Sequence, residues 1–259
     1  MKKVLSLVLV LLLSISVLAG CGGSTKKADT NASKEKVYKI ATDTTFAPFE
    51  FQNKDKKYVG IDIDILAAIA KDQGFKYELS PLGFNAAVAA LESNQTDGVI
   101  AGMSITPERQ KKYDFSAPYY DSGVVMAISA SNNTIKSYKD LAGKKVAVKT
   151  GTEGATFAES IKDKYGFTLA YFDESPMMYE DVKTGNSVAC FEDYPVMGYG
   201  ISQGNGLKMV TDKEKGSSYG FAVLKGKNAE LLKMFDAGLK HIKANGKYQE
   251  IIDSYIKAK

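Results

Sequence analysis

Arg109 is the only arginine among the 34 lysine and arginine residues of the chain, and it lies in the stretch DGVIAGMSITPERQKKYDFS, Asp97 to Ser116. A planar guanidinium suits a bidentate grip on a carboxylate, which the point charge of lysine does not copy. Around it, Val99 to Ala101 read as the end of a buried strand and Gly102 lets a ligand approach the backbone. Ser104 and Thr106 offer hydroxyls, and Pro107 opens a helix with Glu108 in its first turn. A surface arginine at a helix start is the plainer reading of the same residues. Asp43, the loop Lys149 to Gly154 and Asp193 each follow an expected strand. Together with Arg109 these groups match a free amino acid, whose carboxylate and ammonium must both be paired when a cleft takes them out of water. Arg109 suits the carboxylate, helped by backbone N–H groups near Thr152 at a helix start. Asp193, the Gly102 carbonyl and the Ser104 hydroxyl suit the ammonium, and Phe46 and Phe84 suit the aliphatic part. Asp43 equally suits a turn cap, the two phenylalanines a core, and Lys149 a solvated strand end.

Other reactive side chains are isolated. His241, the only histidine, lies in a terminal helix between Lys240 and Lys243 and reads as a solvated residue. Cys190 sits between Ala189 and Phe191 and reads as a small buried hydrophobe with no histidine to activate it. No zinc, haem, P-loop or dinucleotide spacing occurs, and GTEG reads as a tight anion-binding loop. No catalytic residue, metal or cofactor is assigned.

Positioning such residues takes alternating strands and helices. Val37–Thr42 is a strand ending at Asp43. Phe49 and Phe51 alternate toward a turn at Asn53–Lys57, and Tyr58 and Val59 pair back. In GIDIDILAAIAKDQ, Ile61, Ile65 and Ile69 recur four apart along a helix that ends near Gly74. Strand Phe75–Leu79, helix Phe84–Leu91 and strand Gly98–Ala101 follow. The run YYDSGVVMAISA from Tyr119 leads into a second series: a helical turn Tyr138–Leu141, strands Lys145–Val148, Phe167–Phe172 and Ser187–Phe191, and helices Ala155–Lys164, Met177–Thr184 and Tyr194–Ile201. Gly216–Tyr219 returns to strand Gly220–Leu224 and helices Ala229–Ala244 and Tyr248–Ile256. The alternation predicts an α/β fold with mainly parallel sheets in two bodies, 37–120 with 218–259 and 121–217. A ligand belongs beyond the carboxyl ends of the strands, in the cleft between bodies.

The first twenty residues carry Lys2 and Lys3 ahead of an apolar run from Val4 to Ala19, the pattern of an export signal. Leu18-Ala19-Gly20-Cys21 resembles the lipobox of bacterial lipoproteins, which implies cleavage before Cys21 and a lipid on it. Residues 21–36 read as a flexible tether. The formal charge of +4 falls to about +2 without Lys2 and Lys3 and gives no support for nucleic-acid binding.

The stretches ATDTTFAPFEF (Ala41 to Phe51), GIDIDILAAIAKDQ (Gly60 to Gln73), AGMSITPERQKKYDFS (Ala101 to Ser116) and VAVKTGT (Val146 to Thr152) resemble the extracellular solute-binding proteins of family 3, receptors of ABC importers for polar amino acids. Within that family they are most similar to glutamine-binding proteins. The resemblance implies a two-lobed periplasmic-binding-protein fold of type II, its lobes joined by hinge strands at Tyr119–Gly123 and Lys215–Tyr219. It assigns Arg109 and Thr152 to the ligand carboxylate, and Gly102, Ser104 and Asp193 to the ammonium, with Ala101 also among the ligand-binding residues. Phe46 and Phe84 become walls, and Asp43 and Lys149 meet a side-chain amide. Glu153 replaces a glycine and Glu192 a histidine of the glutamine receptors, and both add negative charge near the side-chain end, against an acidic ligand. Ser104 replaces threonine and keeps the hydroxyl. The implied partners are a free polar L-amino acid, most of all glutamine, an ABC permease with its ATPases, and the outer face of a bacterial cytoplasmic membrane through the lipid on Cys21. The receptor is expected to act as a monomer. Histidine, asparagine, glutamate, arginine and cystine are the alternative ligands. A cyclohexadienyl or arogenate dehydratase on the same scaffold is the alternative of another class.

Overall fold

The computed structural model describes residues 36–256, so the expected export signal 1–20, Cys21 and all of the tether except Lys36 lie outside the described residues. Strand β1 (Val37–Thr42) is followed by the short β2 (Thr45–Phe46), β3 (Glu50–Gln52) and β4 (Tyr58–Val59), which pair as a small antiparallel arm. Helix α1 (Ile61–Gln73), β5 (Lys76–Pro81), α2 (Phe84–Glu92), β6 (Gly98–Val99), the four-residue α3 (Pro107–Gln110) and β7 (Tyr113–Phe115) complete the first passage. The second series comprises β8 (Tyr120–Ser129), a 3-10 turn at Tyr138–Leu141, β9 (Lys145–Lys149), α4 (Glu153–Tyr165), β10 (Thr168–Phe172), α5 (Ser175–Lys183), β11 (Ala189–Asp193), α6 (Tyr194–Ser202), β12 (Leu207–Met209) and β13 (Glu214–Tyr219). The chain then returns through β14 (Ala222–Leu224), α7 (Ala229–Ala244) and α8 (Lys247–Tyr255).

Two lobes result, each a sheet flanked by helices. The first sheet runs β5-β1-β6-β14-β7 and the second β10-β9-β11-β8-β12, with β13 also paired to β8. The sheets are mixed, which corrects the mainly parallel expectation. Only β1 with β5 and β6, and β9 with β10 and β11, pair in parallel. Strands β8 and β14 enter their sheets directly from the crossing between lobes, without the helical crossover that a parallel neighbour requires, and so run antiparallel. The short edge strands β7 and β12 were not expected, since three residues are too few for an alternation to register.

Side-chain periodicity places the cores. Ile61, Ile65, Leu66 and Ile69 of α1 are wholly buried against Phe235, Leu239 and Ile242 of α7. Each such side chain contributes about 1.5–3 kcal/mol. Gly238 permits this approach, for a Cβ there would lie 2.7 Å from Ile69 Cγ2. In β8, Val124, Met126 and Ile128 enter one core of the second lobe, while Val125 and Ala127 enter the other. The crossing consists of β8 against β13, with Tyr120 opposite Tyr219 and Ser122 opposite Ser217. The expected divisions at 120/121 and 217/218 fall inside this pair. Val196 of α6 packs into the core of the first lobe, so the two lobes are in contact.

Candidate functional site

The first lobe presents its groups beyond β6. Ile100 N–H donates to the Ala41 carbonyl, and the chain then turns through Gly102 at φ +52°. A Cβ at this position would lie 2.4 Å from Phe46 Cε1, so the phenylalanine ring can rest on the backbone only because the residue is glycine. Thr106 Oγ1 accepts from Arg109 N–H at 3.2 Å and caps α3, whose single turn sets the direction of the arginine. The half-buried guanidinium donates through Nη1 to the Ser104 carbonyl (2.9 Å) and through Nη2 to the Gly151 carbonyl of the opposite lobe (3.0 Å). Its carbon lies 5.4 Å from the centre of the Phe84 ring. Among the described residues two of its five N–H donors are used, which leaves three for an anion. Burial lowers the guanidinium pKa, and the carboxylates of Glu153 and Asp193 act against that change.

The second lobe supplies the other charges. Lys149, the last residue of β9, places Nζ 2.5 Å from Asp43 Oδ2 and 3.3 Å from Thr45 Oγ1, with both charged side chains 1% exposed. Asp43 Oδ1 accepts from Thr44 N–H at 2.6 Å, so Asp43 both caps a turn and pairs with the opposite lobe. Thr152 Oγ1 donates to the Lys149 carbonyl (2.8 Å) and accepts from Ala155 N–H (3.3 Å). This cap starts α4 at Glu153, two residues before the expected start. Thr152 N–H itself donates to the Lys149 carbonyl at 3.3 Å. The anion donors expected there are therefore best supplied by the following first-turn amides.

Asp193 closes the floor. Its Oδ2 accepts from Tyr219 Oη at 2.5 Å and Ser122 Oγ at 3.3 Å, both from the crossing strands. Burial above all, and then the neighbouring Glu192, push its pKa up to about 7, while Tyr219 and Arg109 work in the opposite direction. Glu192 points the other way. It accepts from Ser175 Oγ (3.1 Å) and Tyr179 Oη (2.8 Å), and burial raises its pKa. The expectation that Glu192 faces the ligand side chain is thus corrected: successive residues of β11 point to opposite faces of the sheet.

Asp43, Phe46, Phe84, Ala101, Gly102, Ser104, Arg109, Thr152, Glu153 and Asp193 line one cavity of about 10 Å³ between the lobes. Lys149 does not line it and stands behind Asp43. Sequence reasoning missed Tyr219 and Ser122, which hold Asp193, and Thr45, which shares Lys149. Only the single aromatic residue in GSSYG hinted at them. The cavity brings a cation from one lobe and an anion from the other to one narrow space.

The sequence profile of the bacterial extracellular solute-binding proteins, family 3, matches residues 38–258. The arginine-binding extracellular protein ArtP of Bacillus subtilis (strain 168) is 31% identical over 97% of this chain and 96% of its own length. The ABC transporter glutamine-binding protein GlnH of the same organism is 32% identical over 99% and 98%. Among solved structures, an ancestral arginine-binding protein bound to glutamine is 36% identical, covers 86% of this chain and 98% of its own, and has a TM-score of 0.79. Substrate binding domain 2 of Lactococcus lactis GlnP in the open conformation is 43% identical over 87% and 97%, yet its TM-score is 0.59. Likeness in sequence and likeness in shape run in opposite order here. Parting two lobes as rigid bodies lowers the match of the whole chain without changing its sequence, and the lobes of this chain touch.

Proposed function

Since the chain belongs to the bacterial extracellular solute-binding proteins of family 3, the amino-acid-binding receptors of ABC importers, we propose that it captures glutamine between its lobes and presents it to a permease. The observation that carries this reading is the pairing of Arg109 and Asp193 across one cavity, opposite charges matched to the two ends of an α-amino acid. The carboxylate takes the free donors of Arg109 and the first-turn amides of α4. The ammonium takes Asp193, the Gly102 carbonyl and Ser104 Oγ, and Phe46 and Phe84 wall the stem.

Glutamine is favoured over glutamate by Asp43 and Glu153 on the cavity wall, and over arginine by the Lys149 ammonium directly behind Asp43. Asparagine is one methylene short and leaves an amide partner unpaired, at about 1–3 kcal/mol or roughly 5- to 150-fold in affinity. Residues 37–120 with 218–259 form one lobe and 121–217 the other. They close on the ligand by bending at β8 and β13, and the ATPases of the importer supply the energy. A lipid on Cys21 holds the monomeric receptor at the outer face of the cytoplasmic membrane.

Isothermal titration of ligand-stripped protein against glutamine, glutamate, asparagine, histidine, arginine and cystine tests the assignment, and glutamine is expected to bind tightest. Tightest binding of arginine or cystine overturns the roles of Asp43 and Lys149 and spares that of Arg109. Turnover of prephenate or arogenate would replace the receptor reading with the enzyme. Cys21→Ser is expected to release the protein from membranes.

A further inference from the structure

Behind the cavity, and outside every role assigned above, two acidic side chains are buried together. Glu50 of β3 and Asp62 in the first turn of α1 are both 0% exposed, and their carboxyl groups are within hydrogen-bonding reach of each other. Among the described residues no donor reaches Glu50 Oε1, Glu50 Oε2 or Asp62 Oδ1 when both groups are taken as carboxylates. Asp62 Oδ2, by contrast, is well supplied. It accepts from Gly102 N–H at 2.7 Å and from Tyr119 Oη at 2.7 Å. Gly102 lines the cavity, and Tyr119 stands one residue before the crossing strand β8.

We propose that Glu50 and Asp62 share one proton, held on Glu50 and donated to Asp62 Oδ1, and that this pair positions Gly102 for the ligand and anchors Tyr119 at the hinge. Two unpaired carboxylates in contact and away from water would repel at low dielectric, whereas one proton turns the repulsion into a hydrogen bond and satisfies the orphaned oxygens. The proton belongs on Glu50. Asp62 already accepts two hydrogen bonds and lies in the first turn of α1, where the helix dipole favours negative charge. Burial and the charges of Asp62 and Asp43 push the Glu50 pKa well up, with Lys149 opposing, and burial brings Asp62 to about 6 against its bonds to Gly102, Tyr119 and Glu50. Tyr119 faces the pair from the crossing. On α8, Tyr255 Oη donates to Asp64 and accepts from Gly60 N–H, so that side chain adds no free charge to the pair.

The sign of the pH dependence follows. Glu50 keeps its proton in the folded chain well above the pH at which an unfolded glutamate releases it. The folded state therefore binds more protons above about pH 4.3, and Glu50 lowers stability progressively as pH rises. Glu50→Gln retains an N–H donor toward Asp62 and cannot ionise. The melting temperature of this variant minus that of the unmodified protein is expected to grow between pH 5 and pH 8.5, by on the order of 2–4 °C per pH unit. The infrared difference spectrum of unmodified protein minus Glu50→Gln at pH 7, with 13C-labelled glutamate, is expected to show the carbonyl stretch of a protonated acid. A temperature gap that stays constant with pH, together with no such band, overturns the shared proton and points to two carboxylates bridged by a cation. The effect on ligand rests on the reading that an amino acid fills the cavity. There Glu50→Leu is expected to weaken the tightest-binding amino acid at least tenfold, and Glu50→Gln to restore it to within threefold. Equal affinities for the two variants overturn the positioning role. If the unmodified protein binds no amino acid at all, the function proposed above fails, while the spectrum and the temperature gap still decide the shared proton.

Discussion

Lys149→Met separates closure of the lobes from folding. Lys149 Nζ lies 2.5 Å from Asp43 Oδ2, and only 1% of either charged side chain is exposed. Without the ammonium, the Asp43 carboxylate keeps the N–H groups of Thr44 and Thr45 at 2.6 and 3.4 Å and loses its only charged partner among the described residues. Breaking a buried pair from one side costs about 3–5 kcal/mol. The two residues sit on different lobes, so when the lobes part Asp43 regains water and the cost falls on closure. The dissociation constant for the tightest-binding amino acid is expected to rise roughly 200- to 4,000-fold. The melting temperature without ligand is expected to change by less than about 4 °C. Titration calorimetry and thermal denaturation measure the two quantities, and small-angle scattering with saturating ligand reports closure. The double variant Asp43→Leu with Lys149→Met removes the stranded charge and should regain closure while losing the preference among side chains. An affinity within threefold of the unmodified protein, beside a melting temperature lowered by more than about 8 °C, would refute the reasoning and make the pair a folding contact.

Arg109→Lys leaves one ammonium for the Ser104 carbonyl, the Gly151 carbonyl and the ligand carboxylate together. Every amino acid is expected to bind about 10- to 150-fold more weakly by calorimetry, and a loss confined to one ligand would contradict the α-carboxylate role. Affinity should also fall as pH drops below about 7, because an ammonium favours ionised Asp193 and the complex then holds fewer protons than the free protein. The limit is tenfold per pH unit, and titrations from pH 5 to 8 that show no slope would remove Asp193 from the ammonium. Gly102→Ala places a Cβ 2.4 Å from Phe46 Cε1 at a φ of +52°, and is expected to lose about 1–3 kcal/mol of stability in urea titration together with measurable binding.

Much of the frame was legible in residue order alone. The four-residue spacing of Ile61, Ile65 and Ile69 marked α1 to within a residue, and the run from Ala229 to Ala244 marked both ends of α7. Strand ends carrying Asp43, Lys149 and Asp193 were legible as well, since a charged residue that ends an apolar strand has few roles beyond capping or binding, whereas Arg109, expected at such an end, lies on α3. Local rules sufficed at these places because periodicity and capping act within a few residues.

Which of these groups meet, and through what, lies beyond such rules. Asp43 and Lys149 are 106 residues apart and form an ion pair only because two separately wound sheets come together. Glu192 and Asp193 are adjacent, yet one faces α5 and the other the cavity, because the pleat of β11 separates them. Tyr219 reaches Asp193 only through the return of β13 along β8. Glu50 and Asp62 look like ordinary acids of an arm and a helix start until folding buries both behind Gly102. Sequence spacing specified the strands, the helices and the chemical types at their ends, because those depend on near neighbours. Pairing, burial and the resulting charge states depend on distances between remote residues, and only the packed chain sets those distances.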